Sequence, residues 1–281
     1  MATGTSGSHS SGYVAQLGSV AWQSLSRLVR TPSHSRRAEA RRALARRWLG
    51  LAMLTALAIG LLMFAVDVAA IKQMPPRGTA SLWPLRIFTD LGKSTYVLWA
   101  LAGLLLLILL IMPRLTGLSR QVWIAFGVRV QYIFLSVGVA VLSAEVLKYI
   151  IGRSRPFVGG EANAFLYQHF AGNPAFESLP SGHATTAFAL AFAVSAVWRK
   201  VTLLMMVYAV LICVSRVILL AHHPSDVVGG ALTGVIGAMF VRYWFAARRL
   251  GFSIGRDGSI EPLAGPSGAS LKRVAREALA P

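Results

Sequence analysis

From Tyr96 to Met112 the chain carries no charged side chain, and blocks almost as apolar recur along its length. About 20 apolar residues are enough for a helix to cross the ~30 Å hydrocarbon layer of a bilayer. Inside that layer every backbone N–H and C=O must be satisfied within the chain, which a helix does by itself. The composition agrees: 55% of the 281 residues are hydrophobic and only 14% are charged, where soluble domains carry about 25%. The pattern predicts an all-α, polytopic membrane protein with a single domain.

Six spans are expected, at about Trp48 to Ile71, Tyr96 to Met112, Gly127 to Ile151, His183 to Trp198, Val201 to Ala221 and Val227 to Ala246. The fourth is short, so its helix is expected to begin within the segment before it. This divides the chain into a basic N-terminal segment (1–47), a six-span unit (48–247) and a polar tail (248–281). The Ser- and Gly-rich stretch 1–25 is expected to be disordered, and a short helix is expected over Ser270 to Leu279. No internal repeat is evident.

The formal net charge is +18, from 28 Lys and Arg against 10 Asp and Glu. Such an excess can signal nucleic-acid binding. Here the cations gather at the edges of apolar blocks, which fits membrane orientation and anionic headgroups and argues against a nucleic-acid partner. The Arg-rich run from Arg27 to Arg47 resembles an organellar transit peptide, but it abuts a span and reads better as its cytoplasmic anchor. With that run inside, Arg114, Arg120, Arg129, Arg199, Lys200, Arg248 and Arg249 fall on the same side, the richer in Lys and Arg. Both termini are therefore expected in the cytoplasm of a cell with an inner membrane. The single cysteine, Cys213, has no partner for a disulfide and no Cys-rich metal motif beside it.

On this topology three polar segments reach one face. Lys148 ends the third span and is followed by Arg155-Pro156. Arg155 precedes proline and so favours an extended backbone, which lets a guanidinium fork and an ammonium converge on one anion. Two cations snorkelling at a membrane edge are the ordinary alternative. Pro180-Ser181-Gly182-His183 opens the fourth span, where Ser181 can cap the helix and free N–H groups can hold an anion. A simple Ser cap with a stray histidine is its bland counterpart. Ser215-Arg216 precedes His222 and Asp226, which lie one helical turn apart. A carboxylate on one ring nitrogen fixes the tautomer and frees the other as a nucleophile. A buried structural His–Asp pair with an intramembrane arginine is the alternative.

In this order the three segments resemble the signature of the type 2 phosphatidic acid phosphatase superfamily, whose members include bacterial membrane lipid phosphatases. The resemblance covers about Lys148 to Asp226. It implies that His222 is a nucleophile forming a phosphohistidine, that Asp226 orients it, and that His183 protonates the leaving oxygen. It also implies that Lys148, Arg155, Arg216, Ser181 and Gly182 hold the phosphate, with no metal or cofactor. The expected substrate is a membrane lipid phosphate or diphosphate at the outer, periplasmic face. His223, beside His222, departs from the usual aromatic of the pattern.

Other polar residues are less telling. Glu145, three before Lys148, suits a helix-face ion pair, and Asp67 reads as structural. Arg153 suits a headgroup contact or a membrane flank. The aromatic loop from Phe157 to Leu179 suits a lid or an interfacial skirt. A phosphotransferase with the same site and an ion transporter are the competing functions. Charges lining an ion path belong at mid-membrane depth, whereas these collect at one edge.

Overall fold

The computed structural model describes residues 12–255 and 259–265, with scattered positions of the tail at 269, 272–274 and 276. Nine α-helices run in chain order among these residues: α1 Tyr13–Val29, α2 His34–Ala65, α3 Asp67–Gln73, α4 Trp83–Thr89, α5 Ser94–Ile111, α6 Gly117–Ile151, α7 Gly182–Val197, α8 Thr202–Ile218 and α9 Pro224–Ala247. Two short antiparallel strands follow, β1 Phe252–Ile254 and β2 Ile260–Pro262.

Trp48–Ala65, Ser94–Arg114, Gly117–Ile151, Arg199–Ile218 and Pro224–Ala247 are long and apolar enough to cross a membrane, by length and composition. The fourth expected span, α7, has 16 residues. At 1.5 Å per residue it measures ~24 Å, short of a full hydrocarbon layer. It does not need lipid contact along its length, because it packs against α5, α6, α8 and α9. Ala184, Ala187, Ala189, Ala191 and Ala193 are all fully buried.

Small side chains make that central packing possible. Gly230 and Gly234, four apart on α9, face the start of α7. A Cβ added at Gly230 would lie 2.4 Å from the carbonyl oxygen of Ser181, and one at Gly234 would lie 2.4 Å from that of Thr185. Backbone thus approaches backbone directly, the arrangement that small residues spaced by four permit between membrane helices.

One expectation about the chain ends is corrected. The stretch 1–25 was expected to lack structure from its Ser and Gly content, yet Tyr13–Val29 form a helix docked on the bundle. The Tyr13 hydroxyl donates to the Leu110 carbonyl (2.6 Å), and Val20 packs beside Ile108 and Met112. Residues 1–11 lie outside the described residues. The tail from 248 was expected to be Gly- and Pro-containing and polar, and within it the β1–β2 hairpin turns Phe252 and Ile260 into the core against Tyr132 and Phe245. The helix expected over Ser270 to Leu279 falls largely outside the described residues.

Candidate functional site

Every segment singled out in the sequence ends at one cleft of about 320 Å³. Lys148 comes from the last turn of α6. Gly152 then terminates α6 in the left-handed conformation (φ +58°), where a Cβ would strike the Gln168 carbonyl oxygen at 1.8 Å. Only glycine makes this turn without collision, and the turn directs Arg153 and Arg155 back toward the bundle. Gly182 and His183 open α7, Arg216 closes α8, and His222 precedes α9. Lys148, Arg155, Gly182, His183, Arg216 and His222 all line the cleft, joined by Lys93, Ser94 and Thr95 at the start of α5.

His222 is 2% exposed, and its Nδ1 lies 2.9 Å from the Ser178 carbonyl oxygen. A carbonyl can only accept, so Nδ1 carries the proton and Nε2 keeps its lone pair. Burial pushes the His222 imidazole well below the usual histidine range. Arg155, Arg216 and Lys148 push in the same direction and Asp226 opposes them. His222 is thus neutral with one nitrogen available, the form in which an imidazole attacks.

Asp226 does not hold His222 as the sequence suggested: its nearest carboxylate oxygen is 4.0 Å from Nδ1. The carboxylate is taken up elsewhere. Asp226 Oδ2 accepts from the His223 backbone N–H (2.8 Å) and the Ser178 hydroxyl (2.5 Å), and lies 3.0 Å from His223 Nδ1. Oδ1 accepts from Arg153 (2.5 Å). Pro224, without an N–H, occupies the first helical position, so Asp226 falls where a side chain caps the helix start. His223 is fully buried in this network and does not line the cleft.

The network extends through residues that sequence reasoning missed. Arg153 is fully buried rather than at a headgroup surface. It donates to Asp67 (2.8 Å), Asp226, the Ser225 hydroxyl (2.6 Å) and the Ala164 carbonyl (3.0 and 2.9 Å). Asp67, also fully buried, further accepts from the Ser225 backbone N–H (3.0 Å) and the Ser225 hydroxyl. Burial alone would weaken the Arg153 charge, but Asp226 and Asp67 outweigh it and hold the guanidinium charged. The signal was present in outline, since a lone carboxylate at the end of an apolar helix requires a partner.

Ser181 sits at the cap position of α7, yet its hydroxyl makes no capping bond. The Ser181 Oγ, His183 Nε2 and Arg216 Nε atoms are buried and lack a hydrogen-bond partner in the protein. Buried polar atoms are seldom left so. Around them, Arg155 donates to the Pro174 carbonyl (2.8 Å), Arg216 to Thr89 Oγ1 (3.3 Å) and Lys148 to Glu145 (2.6 Å). The cleft therefore combines four cations, Lys93 (paired with Asp90 at 2.9 Å), Lys148, Arg155 and Arg216, and one carboxylate, Glu145, with unsatisfied polar atoms. That is a receptor for a compact anion.

The family model described as the PAP2 superfamily matches residues 129–250, a segment that holds every residue of this constellation beyond α5. Over these residues the chain is similar to the PAP2 superfamily. The lipid A 1-phosphatase of Rhizobium johnstonii is 35% identical over 127 residues, covering 45% of this chain and 52% of that protein. The bacitracin transport permease protein BcrC of Bacillus licheniformis is 32% identical over 114 residues, covering 39% of this chain and 54% of that one. The chain thus spans about half the length of the curated relatives it matches. A transmembrane PAP2-type phosphatidylglycerolphosphate phosphatase from Bacillus subtilis, solved by crystallography, shares 21% identity at a TM-score of 0.45. That likeness covers 69% of this chain and 94% of that one.

Proposed function

We propose that this protein is an integral membrane phosphatase that removes phosphate from a lipid phosphate or diphosphate through a phosphohistidine on His222. One observation carries the reading: an imidazole with a free Nε2 lines the same cleft as the unsatisfied His183 and Arg216 atoms and the Lys148 and Arg155 cations.

The chemistry follows from that geometry. Lys148, Arg155 and Arg216 take up the negative charge of a phosphoryl group, and the Ser181 hydroxyl and the N–H groups opening α7 complete its cradle. His222 Nε2 bonds to phosphorus as the bond to the lipid oxygen breaks, and His183 passes a proton to that oxygen. Water then attacks the phosphohistidine, giving its proton back to His183, and the N–P bond breaks to release inorganic phosphate. Asp226 acts at one remove, by fixing Ser178 and His223.

A lipid suits the position of the cleft. It lies at the ends of α5, α6 and α8, and Tyr96 and Val146, next in the chain to its Thr95 and Glu145, are exposed. A headgroup among the cations leaves its chains in hydrocarbon. The name of the Rhizobium relative puts lipid A 1-phosphate first among candidates, followed by undecaprenyl diphosphate, phosphatidylglycerol phosphate and phosphatidic acid. The Lys and Arg distribution favours a periplasmic cleft in the inner membrane, with both termini cytoplasmic.

Purified protein given this panel is expected to release inorganic phosphate from at least one member, and His222→Ala to abolish release. Phosphate appearing on an added acceptor lipid instead of in solution would convert the reading to a phosphotransferase. Full turnover by His222→Ala would remove it.

A further inference from the structure

A second cavity, of about 130 Å³, opens between α1, α5 and α6, lined at its floor by Leu105, Ile108, Leu109 and Met112 and at its rim by Arg27 and Arg120. It lies at the opposite end of the bundle from the phosphate cleft. Ser94 begins α5 in the cleft, and Ile108 stands ~21 Å further along the same helix at 1.5 Å per residue. Ile108 and Met112 are nearly fully buried, whereas Arg27 and Arg120 are exposed. Among the described residues neither arginine has a carboxylate partner.

The helix that roofs this cavity has two apolar stripes. One, through Val20 and Leu28, faces the bundle. It is pinned there by Gln131 Nε2 donating to Ser24 Oγ (3.2 Å) and by Arg30 and Trp244 bridging to Arg248 and Leu28 carbonyls. The other, Val14, Trp22, Leu25 and Val29, recurs at helical spacing and is 54–79% exposed. A helix with an exposed apolar stripe and basic residues at its end lies in the interface of a bilayer. Its roofed cavity is then lined by apolar side chains of α5 and by the exposed arginines Arg27 and Arg120.

We infer that α1, α5 and α6 form a binding site for one anionic phospholipid, its acyl chain along Leu105 and Leu109 and its phosphate between Arg27 and Arg120. A zwitterionic lipid offers the same chain and phosphate, but its own cation competes with the arginines. The site therefore selects by headgroup charge. This inference is independent of the chemistry assigned to the cleft.

The full chain, purified in a neutral detergent, is titrated with phosphatidylglycerol or phosphatidylcholine of matched chains, and bound lipid is counted by native mass spectrometry. The wild type is expected to retain one phosphatidylglycerol about tenfold more tightly than phosphatidylcholine, a ratio equal to about 1.4 kcal/mol. Arg27→Gln with Arg120→Gln should erase that preference. Leu109→Trp, which fills the apolar wall and leaves both charges, should weaken both lipids. Thermal unfolding of each variant reports folding. Equal retention of the two lipids by the wild type overturns the site, even if the variants fail to fold. So does an unchanged preference in the double variant, or displacement of the retained phosphatidylglycerol by excess inorganic phosphate, which would place it in the cleft.

Discussion

The imidazole of His222 is oriented by the backbone carbonyl of Ser178, 2.9 Å from Nδ1, and not by Asp226, whose nearest oxygen is 4.0 Å away. A backbone acceptor cannot be removed by a side-chain substitution, so the tautomer of His222 is protected from most single changes. Asp226 acts on it only through the Ser178 hydroxyl and the His223 turn.

That arrangement ranks two variants. If His222 is the nucleophile proposed above, His222→Ala is expected to lower phosphate release by 10³-fold or more, about 4 kcal/mol of barrier. Asp226→Asn keeps its shape and most of its acceptors, so the loss in kcat should be about 10- to 100-fold. Steady-state rates on the same lipid phosphate check the order, and equal losses would mean that Asp226 contacts His222 during turnover.

Among the described residues, Arg153 is the one arginine or lysine paired with the fully buried carboxylates of Asp67 and Asp226. Arg153→Met leaves Asp67 and Asp226 buried without it, and is expected to cost about 3–5 kcal/mol. Adding Asp67→Asn removes one stranded charge and should recover part of that loss. Thermal unfolding in detergent measures both. Additive losses from the two changes would show that the residues are not coupled.

Burial depresses the His222 pKa well below the ordinary value of 6.5. The neutral form therefore persists as pH falls, until the pH reaches that lowered pKa. An ordinary histidine would be about 90% protonated at pH 5.5. Once corrected for the ionisation of the substrate and of the His183 proton donor, kcat/KM is expected to be nearly flat from pH 7 to 5.5. A half-loss near pH 6.5 would show an unshifted group.

The contact between α7 and α9 is tight enough to be tested by one methyl group. Gly234→Ala places a Cβ 2.4 Å from the Thr185 carbonyl oxygen, backbone that cannot swing aside. Overpacking of this kind costs about 1–3 kcal/mol, and here it also displaces Ser181 and His183. Gly103→Ala, with nothing within 4 Å, should leave unfolding and phosphate release unchanged.

What could be read from the sequence was whatever rests on short spacing. Lys148 and Arg155, Ser181 and His183, and Arg216 and Asp226 lie seven, two and ten positions apart, and apolar runs on either side fix which end of a helix carries them. The partners of Arg153 were hidden because Asp67 lies 86 residues away and Asp226 lies 73 away. Nothing local marks such a contact. Ser178 was equally silent, since it orients His222 through a backbone carbonyl that every residue possesses. The N-terminal helix was masked by Ser and Gly, although the Val14, Trp22, Leu25 and Val29 stripe carried its period. The β1–β2 hairpin is shorter than any alternation that could announce it.

The most direct measurement of the central claim is to catch the covalent intermediate. Purified protein is mixed briefly with lipid phosphate labelled on phosphorus, quenched in base, and digested for peptide mapping. A phosphohistidine is stable to base and labile to acid, and the account predicts such a label on His222 in the wild type and none in His222→Ala. Label on His183 or His223, or none in a protein that turns the lipid over, would contradict it.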